Sequence, residues 1–270
     1  MSLSHLLPVA LLALCAMAVA MATAWLVQRK TGATGWVDVI WTSSTGLVAL
    51  VLSLLPLADT SLVWRQAGVA AAAALWALRL GAHLFARTRK HGDDLRYRAL
   101  LNEWGMQAQR RMFWQLQAQA AVGALLALSA ALAAHLPARE LQLQDLLGLA
   151  IAGCALLGET TADRQLRRAP RGAVCATGWW AWSRHPNYFF EWLYWASFPV
   201  IAIGYPGGWL AIAAPLVMYW ALVYVSGIPP LEAHMIRSRG AAYVHYQAST
   251  SPFFPLPPGL YRRKMPAVNS

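Results

Sequence analysis

Arg184-His185-Pro186-Asn187-Tyr188, followed by Glu191, holds the side chains in this chain best placed to do chemistry. Pro186 suits the first turn of a helix, where its missing N–H costs nothing. The free backbone N–H groups and positive dipole end then point back toward Arg184 and His185, which is a place for a phosphate. Asn187 and Glu191 are one helical turn apart and share a face, so an amide and a carboxylate could grip a polar ligand there. A plainer reading is an interfacial helix start with a Trp and Tyr belt and a snorkelling arginine. It accounts for the aromatics and Arg184, but not for Glu191 inside an apolar run.

Ionisable groups within apolar runs are costly and are functional candidates by default; here they are Asp38, Arg79, His83, Glu159 and Glu191. Asp38 lies near the end of its run and could reach water, and Arg79 could pair with an acid such as Asp38. Glu159 and Asp163 share a helix face beside Arg164, Arg167 and Arg168. They could order that basic loop or contact a sugar or amide, or Asp163 could simply pair with Arg167. His91-Gly92-Asp93-Asp94-Leu95-Arg96-Tyr97 mixes acids, guanidinium and phenol; a solvated turn explains it as well as a site does. Arginines from several such segments could clamp phosphates bidentately, with a nucleotide as the natural ligand. Other chemistries are excluded by pattern: there is no Gly-x-Gly-x-x-Gly after a strand, no phosphate-binding Gly-x-x-x-x-Gly-Lys, and no Gly-x-Ser-x-Gly. His5, His83, His91, His135, His185, His234 and His245 form no metal-binding pair, so no metal is expected. Cys15, Cys154 and Cys175 make no disulfide framework.

The elements that must position these residues are membrane helices, because 270 residues that are 58% hydrophobic and 12% charged cannot present a soluble surface. Apolar runs at 6–27, 35–57, 62–85, 112–134, 143–159, 188–203 and 208–227 predict an all-α polytopic protein, about seven spans in one bundle and a single domain over 1–270. The first run is not a signal peptide, since no basic residue precedes it and Arg29 and Lys30 follow it. Basic residues fall on alternate loops: Arg29 and Lys30; Arg87, Arg89, Lys90, Arg96, Arg98, Arg110 and Arg111; Arg164, Arg167, Arg168, Arg171 and Arg184; Arg237, Arg239, Arg262, Arg263 and Lys264. Only Arg65, Arg79 and Arg139 lie elsewhere. By the positive-inside rule the amino end faces out and the carboxyl end lies in the cytoplasm. The net charge of +11 therefore reports topology and contact with anionic lipid, not nucleic acid. Residues 232–247 read as one short helix too polar to span, before Pro252, Pro255, Pro257 and Pro258 end regular structure and leave a basic tail on the membrane surface.

The chain resembles the steroid 5α-reductase-like integral membrane family, in its bacterial DUF1295 branch. The resemblance rests on Ser183-Arg184-His185-Pro186-Asn187-Tyr188 with Glu191, on Asp93-Asp94-Leu95-Arg96-Tyr97, on Ala162-Asp163-Arg164-Gln165-Leu166, and on Glu232-Ala233-His234 running to Tyr243, Tyr246, Thr250 and Phe254-Pro255. It implies a seven-helix reductase of a bacterial inner membrane that takes NADPH from the cytoplasm, with cofactor-binding parts near 87–112 and 159–258. Hydride then passes to the activated C=C bond of a lipophilic enone of steroid-like or isoprenoid kind, while an acid polarises the carbonyl. Carried over as cofactor-binding are Arg96, Asp163, Arg164, Arg184, His185, Asn187, Tyr188, Glu191, His234, Tyr243 and Tyr246. Asp38, His83 and Tyr97 are the catalytic candidates, Asp38 and His83 by position alone, since the family's enone-activating residues have no clear counterpart. The family's usual Gly before the Glu is here Phe190, and its usual Phe before Glu159 is here Gly158. The Arg-His-Pro core, with a closing Glu and Tyr-x-x-Tyr, is also similar to isoprenylcysteine carboxyl methyltransferases, so an S-adenosylmethionine-dependent lipid methyltransferase is the alternative.

Overall fold

The computed structural model describes residues 3–56, 64–137, 140–170 and 172–261. Leu57, Leu62, Arg139, Arg171 and the basic end Arg262-Arg263-Lys264, all invoked above, lie outside the described residues. The helices are α1 (Leu3–Thr31), α2 (Trp36–Leu54), α3 (Trp64–His91), α4 (Leu95–Trp104), α5 (Ala108–Ala134), α6 (Leu143–Arg168), α7 (Pro186–Ala202), α8 (Ala213–Trp220), α9 (Ile228–Arg239) and α10 (Ala241–Ser249), with no strand among the described residues. Six helical stretches are long and apolar enough to cross a membrane: His5–Thr31, Trp36–Leu54, Trp64–His91, Leu95–Ala134, Leu143–Arg168 and Gly208–Arg239. The remaining expected span is α7, a helix of 17 residues.

The chain divides into two compact units. Unit 1 comprises Met1–Ala152 and Trp195–Val217. In it α2 packs on α3, and α1 and α2 pack on α5. Lipid tails are as apolar as leucine, so helices in a membrane associate through close packing of small residues. Gly46 of α2 supplies such a contact: a Cβ there would lie 2.2 Å from the Cβ of Ala77 on α3. Gly123 of α5 likewise leaves room for Met17 of α1 and for Thr45 and Trp41 of α2. Trp76, fully buried, meets Trp41 and Trp195 edge-on. Arg65, an exception to the charge alternation, is itself buried and neutralised: its Nε and Nη2 donate to the two carboxylate oxygens of Asp145 at 2.8 and 2.9 Å. An arginine compensated in this way carries little topological weight.

Unit 2 comprises Gly153–Tyr194 and Met218–Ser270. Its α6 and α7 segments touch where Gly158 meets Phe190; a Cβ at Gly158 would lie 2.4 Å from the ring. Phe189, Trp192, Tyr219, Phe253 and Phe254 form an aromatic cluster. After Thr250 the proline-rich segment runs back beside the 182–184 loop, Arg184 N–H donating to Ser251 O (2.8 Å) and Leu256 N–H to Trp182 O (2.9 Å). The single helix expected over 232–247 is two helices, because Gly240 between α9 and α10 takes φ 58° and ψ −137°, a backbone region closed to side-chain-bearing residues.

Candidate functional site

The 178–187 corner of unit 2 is built from local rules. Gly178–Ala181 forms a single 3-10 turn, and Trp180 is anchored by its indole N–H on Ala162 O of α6 (2.9 Å). Pro186 starts α7, as the sequence predicts. The loop before it is pinned by Ser183, whose Oγ donates to Phe253 O (2.8 Å) and accepts from His185 N–H (3.1 Å). Tyr246 of α10 donates its hydroxyl to Trp180 O.

Arg184 and His185 are turned inward, 3% and 2% exposed, onto one carboxylate, Glu232 of α9. Arg184 Nε donates to Glu232 Oε1 at 2.6 Å, and its Nη1 donates to the carbonyls of Gln247 (2.9 Å) and Thr250 (2.6 Å). The guanidinium also meets the Tyr243 hydroxyl. His185 Nε2 lies 3.2 Å from Glu232 Oε1, and Gln247 Nε2 donates to Oε2 at 2.8 Å. Tyr243 completes the set at 3.5 Å. The spacing is that of a buried arginine satisfied by carboxylate and backbone, which stabilises three chain segments against one another.

Burial pushes the His185 imidazole below its ordinary range, Glu232 partly opposing this and Arg184 adding to it. The ring is therefore neutral at pH 7 and donates from Nε2, so Nδ1 is an acceptor, and this buried atom has no hydrogen-bond partner. The imidazole stacks on Tyr188, with centroids 5.6 Å apart and planes at 13°. Burial holds the Tyr243 and Tyr246 phenols above their usual range, so both remain donors.

Asn187 is half-buried and makes no hydrogen bond to any described residue. It shares a face of α7 with Glu191, which is 7% exposed. On α6, Glu159 and Asp163 are buried on one face at 4% and 7% exposure, while Arg164 beside them is exposed. His234 is half-buried on α9 and enters none of the Glu232 bonds.

The remaining candidates sit in unit 1. Asp94 is the N-cap of α4, accepting from Arg96 N–H at 2.9 Å. Its backbone N–H donates to Thr34 Oγ1, which stitches the α3–α4 loop to the α1–α2 loop. Asp38 of α2 accepts from Arg96 Nη2, from Arg87 Nη2 (3.5 Å) and from the Tyr97 hydroxyl (2.9 Å). Tyr97, 5% exposed, also accepts from Gln119 Nε2 of α5 at 3.0 Å. Asp94 pairs with both Arg87 and Arg96, and Asp93 pairs with Arg98. Burial would push the Asp94 carboxyl up, but the charges and hydrogen bonds of Arg96 and Arg87 win and hold it below the carboxylate range. Asp38, Arg96 and Tyr97 are thus brought together. His83 is half-buried on α3.

The sequence reading missed Glu232, Gln247, Arg87 and Gln119 as network members. Glu232 stood in the closing motif, but an acid on a polar segment gives no sign of its partner. Gln247 and Gln119 carry no charge or spacing signal at all. Gly158 and Phe190 are in contact with each other, the ring from α7 filling the space over the α6 glycine.

No curated protein and no solved structure matches the chain. The family described as Protein of unknown function (DUF1295) covers residues 24–250, and this all-helical membrane chain belongs to it.

Proposed function

We propose that the protein is an NADPH-dependent membrane reductase that adds hydride to the activated C=C bond of a lipophilic enone. The reading rests on the resemblance of its motifs to the steroid 5α-reductase-like family and on one structural observation. At the start of α7, polar capacity is left over: among the described residues the Asn187 amide makes no hydrogen bond, and the buried Nδ1 of His185 lacks a donor. A buried acceptor left unmet costs about 1–3 kcal/mol, which a ligand donor would recover. The residues fit a dinucleotide. Asn187 and Glu191 offer donor and acceptor groups on one helix face, and exposed Arg164, Arg167 and Arg168 offer guanidiniums to phosphates. Arg184 contributes little, its donors being engaged by Glu232, backbone carbonyls and Tyr243. When bound, NADPH supplies the hydride; the apolar helices hold the substrate and exclude water. Tyr97 and Asp38 hold a buried proton between them, the phenol donating to the carboxylate.

Titration of the purified protein with NADPH, followed by nicotinamide fluorescence, tests this. Asn187→Ala and Arg164→Ala should each weaken binding about tenfold or more, with melting temperatures close to the parent. Unchanged binding in both variants, or calorimetric heat with S-adenosylmethionine and none with NADPH, would overturn the reading in favour of no dinucleotide site or of methyl transfer.

A further inference from the structure

The corner where α4 turns into α5 belongs to neither polar network. The 3-10 turn Gly105–Gln107 joins the two helices, with Gly105 at φ 52° and Met106 wholly exposed. Beside it lies an open cavity of about 480 Å³ lined by Trp104, Gln107, Arg110, Arg111, Trp114 and Gln115. Its lining follows from helical spacing across the start of α5: the N-cap Gln107, Arg111 and Gln115 recur at intervals of four, and Arg110 lies one turn before Trp114. Arg111 is oriented by its Nε donating to Gln107 Oε1 at 3.2 Å. Among the described residues neither arginine pairs with a carboxylate, in contrast to Arg87, Arg96 and Arg98; Glu103 is nearby in sequence but is not part of the lining.

Position along the helix says what the cavity meets. After Arg111, α5 carries no charged residue as far as its end at Ala134, so the two guanidiniums are the last charges before its membrane-crossing stretch. Trp114, 63% exposed, sits one turn further in, at the depth where indoles mark the headgroup boundary. A pair of uncompensated guanidiniums, two indoles and two amides at that depth suit a phosphodiester with its glycerol hydroxyls, since arginine takes phosphate oxygens bidentately and amides take hydroxyls. We infer that this cavity binds the phosphate of an anionic phospholipid headgroup, fixing the α4–α5 corner to the membrane.

Native mass spectrometry of the detergent-solubilised protein, with phosphatidylglycerol or phosphatidylcholine added, tests the site. The parent should retain phosphatidylglycerol preferentially, and Arg110→Gln with Arg111→Gln should reduce those adducts several-fold. A matched loss of charge elsewhere, Arg89→Gln with Lys90→Gln on the exposed last turn of α3, should not. Equal retention of the two lipids, or an equal loss from both double variants, overturns the site as charge without shape. Displacement of the lipid by millimolar inorganic phosphate overturns the lipid assignment in favour of a free-anion site. Should the Arg110/Arg111 variant not fold, quenching of the parent by brominated phosphatidylglycerol decides: Trp114→Phe should remove a clear part of it, and an unchanged Trp114→Phe signal refutes the site.

Discussion

The network around Asp38 and the network around Glu232 use the same side chains to opposite ends. In unit 1, Asp38, Asp93 and Asp94 face Arg87, Arg96 and Arg98, so the guanidiniums are met by carboxylates at the edge of water: Arg87 is 40% exposed and Arg98 63%. A phosphate arriving there would have to displace an existing anion. In unit 2 a single carboxylate, Glu232, serves Arg184, His185, Tyr243 and Gln247, and Arg184 is 3% exposed. What that network leaves over is the neighbouring Asn187 and His185 Nδ1. Counting arginines would favour the first region, with three, over the second, with one. The balance of donors and acceptors separates a closed clamp from a corner with capacity for a ligand.

Removing one acid from each network, the central one in unit 2 and the outer one in unit 1, sharpens this difference most. Glu232→Ala strands the buried Arg184 charge and should cost about 3–5 kcal/mol, read as a large fall in melting temperature in detergent. Asp93→Ala breaks the pair with Arg98, which is exposed, and should move the melting temperature little. If the two variants melt alike, burial does not distinguish the clusters.

Helix contacts break the comparison from another side. Gly46 in unit 1 and Gly158 in unit 2 both exclude a Cβ, at 2.2 Å from Ala77 Cβ and 2.4 Å from the Phe190 ring. The obstacle to Gly46→Ala is a neighbouring helix backbone and its Cβ, which cannot turn aside; the obstacle to Gly158→Ala is one side chain. Each should cost about 1–3 kcal/mol by overpacking. Only the second should be relieved by Phe190→Leu in the same chain, giving a coupling that a double-mutant cycle measures. Additive losses at Gly158 and Phe190 would mean that the ring is not what fills the space.

Helices and their class were legible because hydrophobic runs and charged ends are local properties: α2, α3 and α5 begin and end close to the expected runs. Pro186 at the start of α7 was legible for the same reason, as a helix-start signal, whereas the helix α4 behind Asp94 was not, its segment reading equally well as a solvated turn. What could not be read was pairing. The choice of Asp38 over other acids by Arg87 and Arg96, and of Glu232 by Arg184 and His185, depends on which helices become neighbours, and nothing in the spacing encodes that. The break at Gly240 was equally hidden, since the pattern of Glu232 to Gln247 continues through a glycine whose positive φ is known only once the chain has turned.

Acid should take the two networks apart in different pH windows, the smallest of these effects and the one most specific to the comparison. His185 has a folded pKa below its unfolded value of about 6.5. As pH falls through 6.5 the unfolded chain takes up a proton that the buried ring refuses, so unit 2 loses stability from there down to the folded pKa. Asp94 has a folded pKa below 3.8. Its contribution is complete above 3.8 and is lost only as pH falls from there through the folded value, so unit 1 is untouched by the first titration. Between pH 7 and 5, amide exchange corrected for intrinsic pH dependence should rise in residues 180–190 while residues 93–100 stay protected. His185→Gln, which retains an amide donor toward Glu232 and cannot titrate, should abolish the rise. Equal loosening of both segments above pH 5 would place the sensitive group elsewhere and remove the distinction drawn between a clamp charged throughout and one that depends on a neutral imidazole.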